Sequence, residues 1–433
     1  MNDELKNKLI QEYKVKFPAK KFVHGESSVP ISGKVFDERE ILSAVEAVLD
    51  GWWTEGRFTD EFELKISKWL GIRHAALVNS GSSANLVALS ALKSARLGDK
   101  KLNVGDEVIT VAAGFPNTVN PIIQNGLVPV FVDIDLGTYN ANVEAIKKAI
   151  GPKTRAIMLA HTLGNPVDLD PIMKVCKEND LFFIEDNCDA LGSLYNGKHT
   201  GTFGHISTCS FYPAHHITMG EGGALFTDDD LLNKIIISIR DWGRDCSCKT
   251  GHDDTCGMRF SWQFGNLPFG YDHKYVYSEI GYNLKITDMQ AALGVAQFEK
   301  LDGFVQKRKD NFRFMYDGLK QFEKYFVLPK CEATADPSWF GFLITVKSDA
   351  PFDRSQIVNH LQEANIATRY LFAGNLIKQP YFVNNKINYR IAGDLSNTDF
   401  VMNNTFWIGC YPGINQEMLT YVLECFSDFL KNY

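Results

Sequence analysis

The sequence of 433 residues contains no run of about 18 consecutive apolar residues, no basic tract, no internal repeat and no low-complexity segment. The first absence argues against a membrane-spanning helix, and residues 1–21 also lack an apolar stretch of signal-peptide length. With a formal net charge of −7 and no cluster of cations, the chain is not expected to bind nucleic acid. We therefore expect a cytoplasmic protein whose partners include neither a membrane nor nucleic acid.

The composition is that of a globular protein with a large core, because 45% of the residues are hydrophobic and 22% are charged. A chain of this length is expected to form two or three domains. Its nine cysteines are an odd number, and a cytoplasmic chain is not expected to form structural disulfides. Five cysteines stand singly among apolar neighbours and are interpreted as buried or free thiols: Cys176, Cys209, Cys331, Cys410 and Cys425.

From about residue 74, short apolar runs alternate with helical patterns. The runs that predict strands are His74–Val78, Glu107–Ala112, Val128–Ile134, Arg155–Ala160, Leu181–Ile184, Ile206–Phe211 and Gly223–Thr227. This alternation predicts an α/β fold whose central, mostly parallel sheet is covered on both faces. We expect a large domain over residues 1–300, beginning with a helical segment, and a smaller α+β domain over 301–433. An irregular, cysteine-rich loop over 241–277 is expected to be functional because of its length.

Three fragments at the ends of predicted strands have the chemistry of a cofactor site. Gly81, Ser82 and Ser83 form a turn between a strand and a helix, where exposed backbone N–H groups bind phosphate. Phe115 follows the next strand and can stack on a heteroaromatic ring. Asp186 follows a buried strand, at the edge where ligands bind to parallel sheets. Each fragment also has a simpler structural explanation, namely a capped helix, a core aromatic and a capping carboxylate.

The most informative absence is that of lysine between Lys198 and Lys234. Within this interval the Ser210–Ala224 segment resembles the active-site segment of sugar aminotransferases, in which a lysine holds pyridoxal phosphate covalently. Here His215 stands at the position of that lysine. A histidine has no primary amine and cannot form this bond, but it can transfer a proton. The resemblance therefore implies a non-covalent cofactor and a reaction other than ordinary transamination.

The resemblance to sugar aminotransferases extends from about residue 35 to the C-terminus. The fragments above, Ser210 and the Gly281–Ala292 segment follow the order and approximate spacing of that family. They imply the fold of type I pyridoxal-phosphate-dependent transferases, with a large domain, a smaller C-terminal domain and a homodimer with shared active sites. By this resemblance Asp186 pairs with the pyridinium nitrogen, and Asn283 lies at the dimer interface near the neighbour's cofactor phosphate. Asp189 departs from the family, which often has glutamine or histidine there to contact the cofactor hydroxyl.

The other four cysteines form a spaced group. Cys188, Cys246, Cys248 and Cys256 follow the pattern C-x57-C-x-C-x7-C, and the last three lie in the irregular loop. Four thiolates are the usual ligands of an iron–sulfur cluster, and zinc takes the same number of ligands. The alternative is that three loop thiols fall close together by chance. Because Cys188 lies two residues after Asp186, a metal centre with this ligand would adjoin the cofactor site.

His215 and this cysteine pattern together resemble the CDP-6-deoxy-L-threo-D-glycero-4-hexulose-3-dehydrases, which use pyridoxamine phosphate and a [2Fe-2S] cluster. The resemblance implies that the four cysteines bind the cluster and that His215 is the catalytic base. It also implies C3 dehydration of a CDP-4-keto-6-deoxyhexose through a Schiff base with the cofactor. One-electron reduction by a flavin or iron–sulfur reductase then completes a 3,6-dideoxysugar of lipopolysaccharide O-antigen. From the residues alone His216 could equally be the base, and the resemblance favours His215.

Two other functions remain open at this point. GDP-4-keto-6-deoxymannose 3-dehydratases also have histidine in place of the lysine, but they regenerate pyridoxal phosphate with glutamate and have no cluster. A chain of this fold without the lysine could also be a non-catalytic binding module, although the retained cofactor-site residues argue against this. Arg240, Arg244 and Arg369 are candidates for contacts with a substrate diphosphate.

Overall fold

A computed structural model describes every residue from Met1 to Tyr433. Its α-helices are α1 (Asp3–Lys16), α2 (Glu38–Leu49), α3 (Arg57–Leu70), α4 (Gly81–Ala91), α5 (Pro116–Gln124), α6 (Val143–Ala149), α7 (Leu169–Glu178), α8 (Asp230–Arg240), α9 (Asp288–Phe298), α10 (Leu301–Leu319), α11 (Arg354–Glu363), α12 (Pro380–Asn384), α13 (Ser396–Asn404) and α14 (Gln416–Leu430).

The strands form three sheets. They are β1 (His74–Val78), β2 (Glu107–Val111), β3 (Val128–Val132), β4 (Thr154–Ala160), β5 (Phe182–Asp186), β6 (Leu194–Tyr195), β7 (Lys198–His199), β8 (Ile206–Ser210), β9 (Gly223–Thr227), β10 (Phe326–Val327), β11 (Ala335–Asp336), β12 (Gly341–Val346), β13 (Thr368–Tyr370), β14 (Arg390–Ile391) and β15 (Thr405–Gly409). The seven runs predicted from the sequence coincide with β1, β2, β3, β4, β5, β8 and β9 to within two residues at each end.

The central sheet has eight strands in the order β1-β9-β8-β5-β4-β2-β3-β14. The strands from β8 to β14 in this order run parallel, whereas β9 is antiparallel to both of its neighbours. The parallel strands therefore place the carboxyl ends of β2, β4, β5 and β8 at one edge, where α/β folds bind their ligands. The predicted α/β fold with a mostly parallel sheet is confirmed.

Both faces of the central sheet are buried, which explains why its strands read as continuous apolar runs. Along β4, Ala156 and Met158 belong to one hydrophobic cluster and Ile157 and Leu159 to another. Successive side chains of a strand point to opposite faces, so these two clusters lie on the two sides of the sheet. Burial on both faces is typical of parallel sheets covered by helices.

The C-terminal part of the chain builds a four-stranded antiparallel sheet in the order β10-β12-β15-β13. One hydrophobic cluster joins this sheet to α10, α11 and α14 and also takes in Phe22 and Val29 from the N-terminal segment. Leu343 and Trp407, on the smaller sheet, belong instead to a cluster of the central sheet. The two sheets therefore share a packed boundary, and side chains from both are available at the carboxyl edge of the central sheet.

Between α8 and α9 lies a long segment, residues 241–287, whose only helical turn is the short 3₁₀ turn His273–Tyr275. The irregular loop predicted over 241–277 lies within this segment. Its large side chains are mostly at the surface, as the exposure of Phe260, Phe269 and Ile280 shows. None of the helices in the structure combines the length and the hydropathy that a bilayer crossing requires.

Candidate active site

A cavity of about 510 Å³ opens at the carboxyl edge of the central sheet. Its lining includes Asp186 and Ser210 at the ends of β5 and β8, and Arg369 and Trp407 from the smaller sheet. The volume lies within the range of about 300–1,000 Å³ that is usual for sites of cofactors and small ligands. The cavity is therefore a candidate active site formed jointly by the two sheets.

The structure separates the predicted site residues into two groups. Gly81, Ser82, Phe115, Asp186, Cys188, Ser210 and His215 line the cavity. Ser83, Asn283, Cys246, Cys248 and Cys256 do not line it. The residues that share the cavity are those that follow strands of the central sheet, whereas four of the five others belong to the 241–287 segment.

The turn before α4 brings backbone N–H groups to the cavity. Ser80 caps the helix, since its side chain accepts a hydrogen bond from the Ser83 N–H at 3.1 Å. The Ser83 hydroxyl donates to Asn79 Oδ1 at 2.7 Å, which keeps this side chain outside the cavity. The first residues of α4, Gly81 and Ser82, face the cavity instead. A helix N-terminus at this place can hold the phosphate of a cofactor.

Gly81 is required by close packing rather than by its backbone conformation. A Cβ atom at this position would overlap the Ser210 Cβ and would lie 2.9 Å from the Ser210 Oγ and 3.1 Å from the Cys188 Sγ. The absent side chain therefore lets the start of α4 approach β8 and leaves the cavity open at the predicted phosphate position.

We expect Gly81→Ala to weaken the binding of pyridoxamine phosphate by about 5- to 150-fold, because the added methyl group must displace Ser210 or the start of α4 at a cost of about 1–3 kcal/mol. Fluorescence titration of the purified protein with the cofactor measures the dissociation constant. The matched control is Gly303→Ala in α10, where nothing lies within 4 Å of an added Cβ. Unchanged affinity in Gly81→Ala would show that this turn does not hold the cofactor.

Asp186 is fixed at the bottom of the cavity by three donors and is only 4% exposed. Its Oδ2 accepts from Asn85 Nδ2 at 2.8 Å and from the Thr118 hydroxyl at 2.7 Å. Its Oδ1 accepts from the Cys188 N–H at 3.2 Å. A carboxylate held in one orientation can pair with a ring nitrogen of a cofactor, as the resemblance implies.

His215 lines the cavity as a neutral imidazole. Burial, and then the charge of Arg308, lower the pKa of His215 to about 3. Its Nδ1 lies 3.4 Å from Asp189 Oδ1, and burial together with the nearby Asp186 raises the pKa of Asp189 to about 8. These shifts favour the neutral forms of both groups at neutral pH, so the contact is not counted as an ion pair. Nδ1 faces Asp189 without a hydrogen-bond partner, and in the tautomer with its proton on Nδ1 the Nε2 atom is the one that accepts a proton.

His216 has a different environment. It is 2% exposed, does not line the cavity, and places Nε2 2.8 Å from the Ser338 carbonyl oxygen. The sequence left both histidines as candidate bases. The structure brings only His215 to the cavity. His216 instead links the active-site segment to Ser338, which lies just before β12 of the smaller sheet.

Phe115 presents its ring to the cavity from the residue before α5 and is 53% exposed. It contacts Phe372 edge-to-face, with ring centroids 5.6 Å apart. The ring is therefore exposed to the cavity, and its stacking on a planar ligand stays a prediction.

The sequence did not identify several other residues that line the cavity. They are Ile31, Ser32, Asn85, Asn117, Thr118, Thr162, Tyr212, Phe340, Tyr370, Phe372 and Trp407. A signal was available for Asn85 and Thr118, which are polar residues within the first five residues of helices that follow predicted strands. None was available for the residues after 300, because they meet the cavity only through the packing of the two sheets.

Of the three candidate arginines, only Arg369 lines the cavity. Arg240 is buried and engaged by carboxylates, with Nη2 2.7 Å from Glu55 Oε1 and Nε 2.9 Å from Asp241 Oδ1. Arg244 lies over the Trp242 ring, 4.6 Å from its centroid. The suggestion that Arg240 and Arg244 contact a substrate diphosphate is therefore not supported in this chain, because their guanidinium groups do not reach the cavity.

The four spaced cysteines do not come together in one chain. Cys188 lines the cavity, and Cys246, Cys248 and Cys256 lie in the 241–287 segment, where the Cys248 Sγ contacts the Thr255 hydroxyl at 3.0 Å. All nine cysteines are free thiols. The structure contains no group of three or more histidine, cysteine, aspartate or glutamate side chains that could hold a metal ion. The predicted ligand set is thus divided between two places within the chain.

Comparison with known proteins agrees with this geometry. The DegT/DnrJ/EryC1/StrS aminotransferase family matches residues 36–427. A Salmonella typhimurium protein named lipopolysaccharide biosynthesis protein RfbH is 57% identical over 410 residues, covering 95% of this chain and 93% of that protein. The dTDP-4-dehydro-2,6-dideoxy-D-glucose 3-dehydratase of Saccharopolyspora spinosa is 51% identical over 421 residues, covering 97% and 90%.

Among solved structures, that of Escherichia coli GDP-4-keto-6-deoxy-D-mannose-3-dehydratase with bound hydrated PLP is similar to this chain with a TM-score of 0.82 and 29% identity. The similarity covers 92% of this chain and 98% of that one. The predicted pyridoxal-phosphate-transferase fold is thereby confirmed. This chain belongs to the DegT/DnrJ/EryC1/StrS aminotransferase family.

Proposed function

We propose that this chain removes the C3 hydroxyl group from a nucleotide-linked 4-keto-6-deoxyhexose, using a pyridoxamine or pyridoxal phosphate that is bound without a covalent link. The observation that carries the proposal is that His215 lines the cavity and no lysine does, so no primary amine is available there to bind the cofactor covalently. Two of the similar proteins are named 3-dehydratases of sugar nucleotides. A non-catalytic module is disfavoured, because a neutral imidazole and a fixed carboxylate share the cavity.

Six of the residues that line the cavity have a role in this proposal. The N-terminus of α4 at Gly81 and Ser82 holds the cofactor phosphate, Phe115 stacks on the ring, and Asp186 binds the ring nitrogen. When bound, the cofactor supplies an electron sink for breaking the bond at C3. With the cofactor bound, His215 would be the group that accepts a proton at Nε2 and that could return it to the departing C3 hydroxyl. Arg369 lines the cavity and is the cation that we propose to bind the nucleotide diphosphate.

The finer proposal concerns the reductive half of the reaction. We propose CDP as the nucleotide, and a [2Fe-2S] cluster on Cys188, Cys246, Cys248 and Cys256 that receives electrons from a flavin or iron–sulfur reductase. The cysteine spacing and the thiol at the cavity wall support this proposal. Such a cluster would supply single electrons beside the cofactor.

A second candidate function is the cluster-free dehydration carried out with pyridoxal phosphate and glutamate. The observation that favours it is the division of the four thiols within one chain, together with the similarity to the GDP-4-keto-6-deoxy-D-mannose-3-dehydratase structure. The two candidates share the roles of His215 and Asp186. They differ in whether the protein contains iron and in what restores the cofactor.

Iron and acid-labile sulfide analysis of the anaerobically reconstituted protein separates the two candidates. We expect about two iron and two sulfide per chain with a reducible visible absorbance, and loss of both in Cys188→Ser. The control is Cys331→Ser, which removes an exposed thiol outside the group. A protein that contains zinc or no metal, and whose dehydration depends on glutamate, would establish the second candidate instead.

A further inference from the structure

The segment that carries His215, residues 211–222, contains neither a helix nor a strand. Its own hydrogen bonds are those of turns, such as the bond from the His215 N–H to the Tyr212 carbonyl oxygen at 2.9 Å. A general base must lie within hydrogen-bond reach of the proton that it accepts. The position of the imidazole therefore depends on contacts between this segment and the rest of the fold.

One of these contacts comes from a buried cation, Arg308 in α10. Its Nη2 donates to the His215 carbonyl oxygen at 3.2 Å, and its Nη1 donates to the carbonyl oxygens of Trp339 and Phe340, each at 3.2 Å. Phe340 lines the cavity, and its ring lies beside the His215 ring with centroids 5.3 Å apart. The guanidinium therefore joins the main chain of the proposed base to that of the aromatic residue packed against it.

The three carbonyl groups belong to two parts of the chain that are far apart in sequence. His215 follows β8 of the central sheet, whereas Trp339 and Phe340 lead into β12 of the smaller sheet. The bond from His216 to the Ser338 carbonyl joins the same two parts one residue further along. Arg308 supplies the bond to the main chain of His215 itself, at the place where the two sheets meet.

A charged residue is an unusual choice at this place in α10. Arg308 is 1% exposed, and the residues on the same face of the helix are buried and apolar, namely Val305, Phe312 and Met315. Burial lowers the pKa of Arg308 to about 10, which leaves the side chain cationic at neutral pH. Its hydrogen bonds go to carbonyl oxygens, and none goes to a carboxylate. Because a buried cation without an ion pair is costly, stability alone does not explain this residue.

Asn311, one turn further along α10, shows that a neutral side chain can fix a neighbouring turn. It is 1% exposed, and its Nδ2 donates to the carbonyl oxygens of Cys410, Tyr411 and Ile414 at 3.2, 3.1 and 3.3 Å. None of these residues lines the cavity. Arg308 differs in that its bonds span two segments, one of which carries the proposed base.

We infer that Arg308 is a positioning residue, which holds the main chain of His215 against residues 338–340 so that the imidazole keeps one position in the cavity. Arg308 does not line the cavity, so it acts through His215 and Phe340. The planar guanidinium suits this role, since it presents its N–H groups in fixed directions. The inference rests on the proposed function for the role of His215, whereas the contact itself is a property of the fold.

Arg308→Met removes the three donated bonds and the charge but retains a long, unbranched side chain. We expect the maximal rate of single-turnover dehydration of a CDP-4-keto-6-deoxyhexose to fall by about 10²-fold, as when a reacting group is displaced by about 1 Å. The substrate concentration at half-maximal rate and the dissociation constant of pyridoxamine phosphate should be nearly unchanged, because the residues proposed to hold them are not altered.

Asn311→Leu is the matched control, because it also removes a buried donor to three carbonyl oxygens from α10. We expect a lower melting temperature with a preserved rate. Equal rates in Arg308→Met and Asn311→Leu would overturn the inference.

Arg308→Lys separates the shape of the guanidinium from its charge. The lysine ammonium ends where the guanidinium carbon lies, one bond short of the nitrogens that donate, so it cannot contact both segments. We expect a folded protein with a rate well below that of the wild type. A full rate would show that the charge alone suffices and would overturn the inference. If Arg308→Met does not fold, these two outcomes of Arg308→Lys decide the question.

Hydrogen exchange of the full-length protein, measured by mass spectrometry with and without pyridoxamine phosphate, tests the contact independently of the reaction. Peptides that contain residues 211–219 and 338–341 should exchange faster in Arg308→Met than in the wild type. In Asn311→Leu the faster exchange should be confined to the turn that is bonded to Asn311. Unchanged exchange around His215 in Arg308→Met would contradict the inference, even with a lower rate. A wild-type protein that dehydrates no sugar would instead reject the proposed function, a result distinct from any change in exchange.

Discussion

Replacement of His215 by asparagine should lower the rate of sugar dehydration by about 10²–10⁴-fold, the usual contribution of a placed proton-transfer group. The imidazole is neutral at the cavity and has Nε2 to accept a proton, and asparagine removes this basic nitrogen. Asp189 is a poor replacement at neutral pH, because burial and the nearby Asp186 raise the pKa of its carboxyl to about 8. Single-turnover dehydration of a CDP-4-keto-6-deoxyhexose by the pyridoxamine-phosphate form measures the rate.

The same variant should bind the cofactor with nearly unchanged affinity, because the residues proposed to hold the phosphate and the ring are not altered. His216→Asn provides the matched control. It removes a buried histidine that bonds to the Ser338 carbonyl and does not line the cavity. We expect a lower melting temperature with a preserved rate. A normal rate in His215→Asn, with a lost rate in His216→Asn, would assign the base to His216.

The parts of the fold that could be predicted from the sequence are those with a strong local pattern. Strands such as β4 and β5 are buried on both faces, so they appear as short continuous apolar runs between polar turns. Helix α5 was not predicted, because Pro121 within it argues against a helix. Pro121 is the sixth residue of this helix and has no N–H to donate to the Asn117 carbonyl, which instead accepts a hydrogen bond from Asn85 Nδ2 at 3.0 Å.

The residues of the candidate site also fall into those that the sequence could predict and those that it could not. Gly81, Asp186 and Ser210 follow or end strands of one parallel sheet, so that their meeting follows from topology alone. Phe340 and Trp407 come from the second sheet, and their approach depends on how the two sheets pack, which has no local sequence pattern. The cysteine spacing gives the number and type of ligands but not the place of each of them in the fold. The chemistry of the four thiols thus stays a prediction of their spacing, and the fold shows that Cys188 lines the cavity while the other three do not.

Asp186→Asn is expected to lower the dehydration rate by about 10²–10³-fold, as when one preorganised charge-stabilising group is removed from an active site. The substitution retains the shape of the side chain but removes the negative charge that would keep a cofactor ring nitrogen protonated. The absorption spectrum of the bound cofactor should change with the rate, because it reports the protonation state of the ring.

The hydrogen bonds of Asp186 show why asparagine cannot restore its function by rotation. One oxygen accepts from Asn85 and Thr118, and the other accepts from the Cys188 N–H. An amide in either orientation turns its NH₂ group toward at least one of these donors, so we also expect a stability loss of about 1–3 kcal/mol.

A stability loss alone must be separated from the loss of a catalytic charge. Asp133 provides the control, because its carboxylate also accepts three hydrogen bonds, from the Asn397 N–H, the Thr398 N–H and the Thr398 hydroxyl, but does not line the cavity. Asp133→Asn should therefore lower the melting temperature to a similar degree as Asp186→Asn. At temperatures where the variant is folded, its cofactor spectrum and dehydration rate should be unchanged. If both variants lose the rate in proportion to their stability, Asp186 would be a structural carboxylate. If only Asp186→Asn loses the rate, the charge at the end of β5 acts on the cofactor.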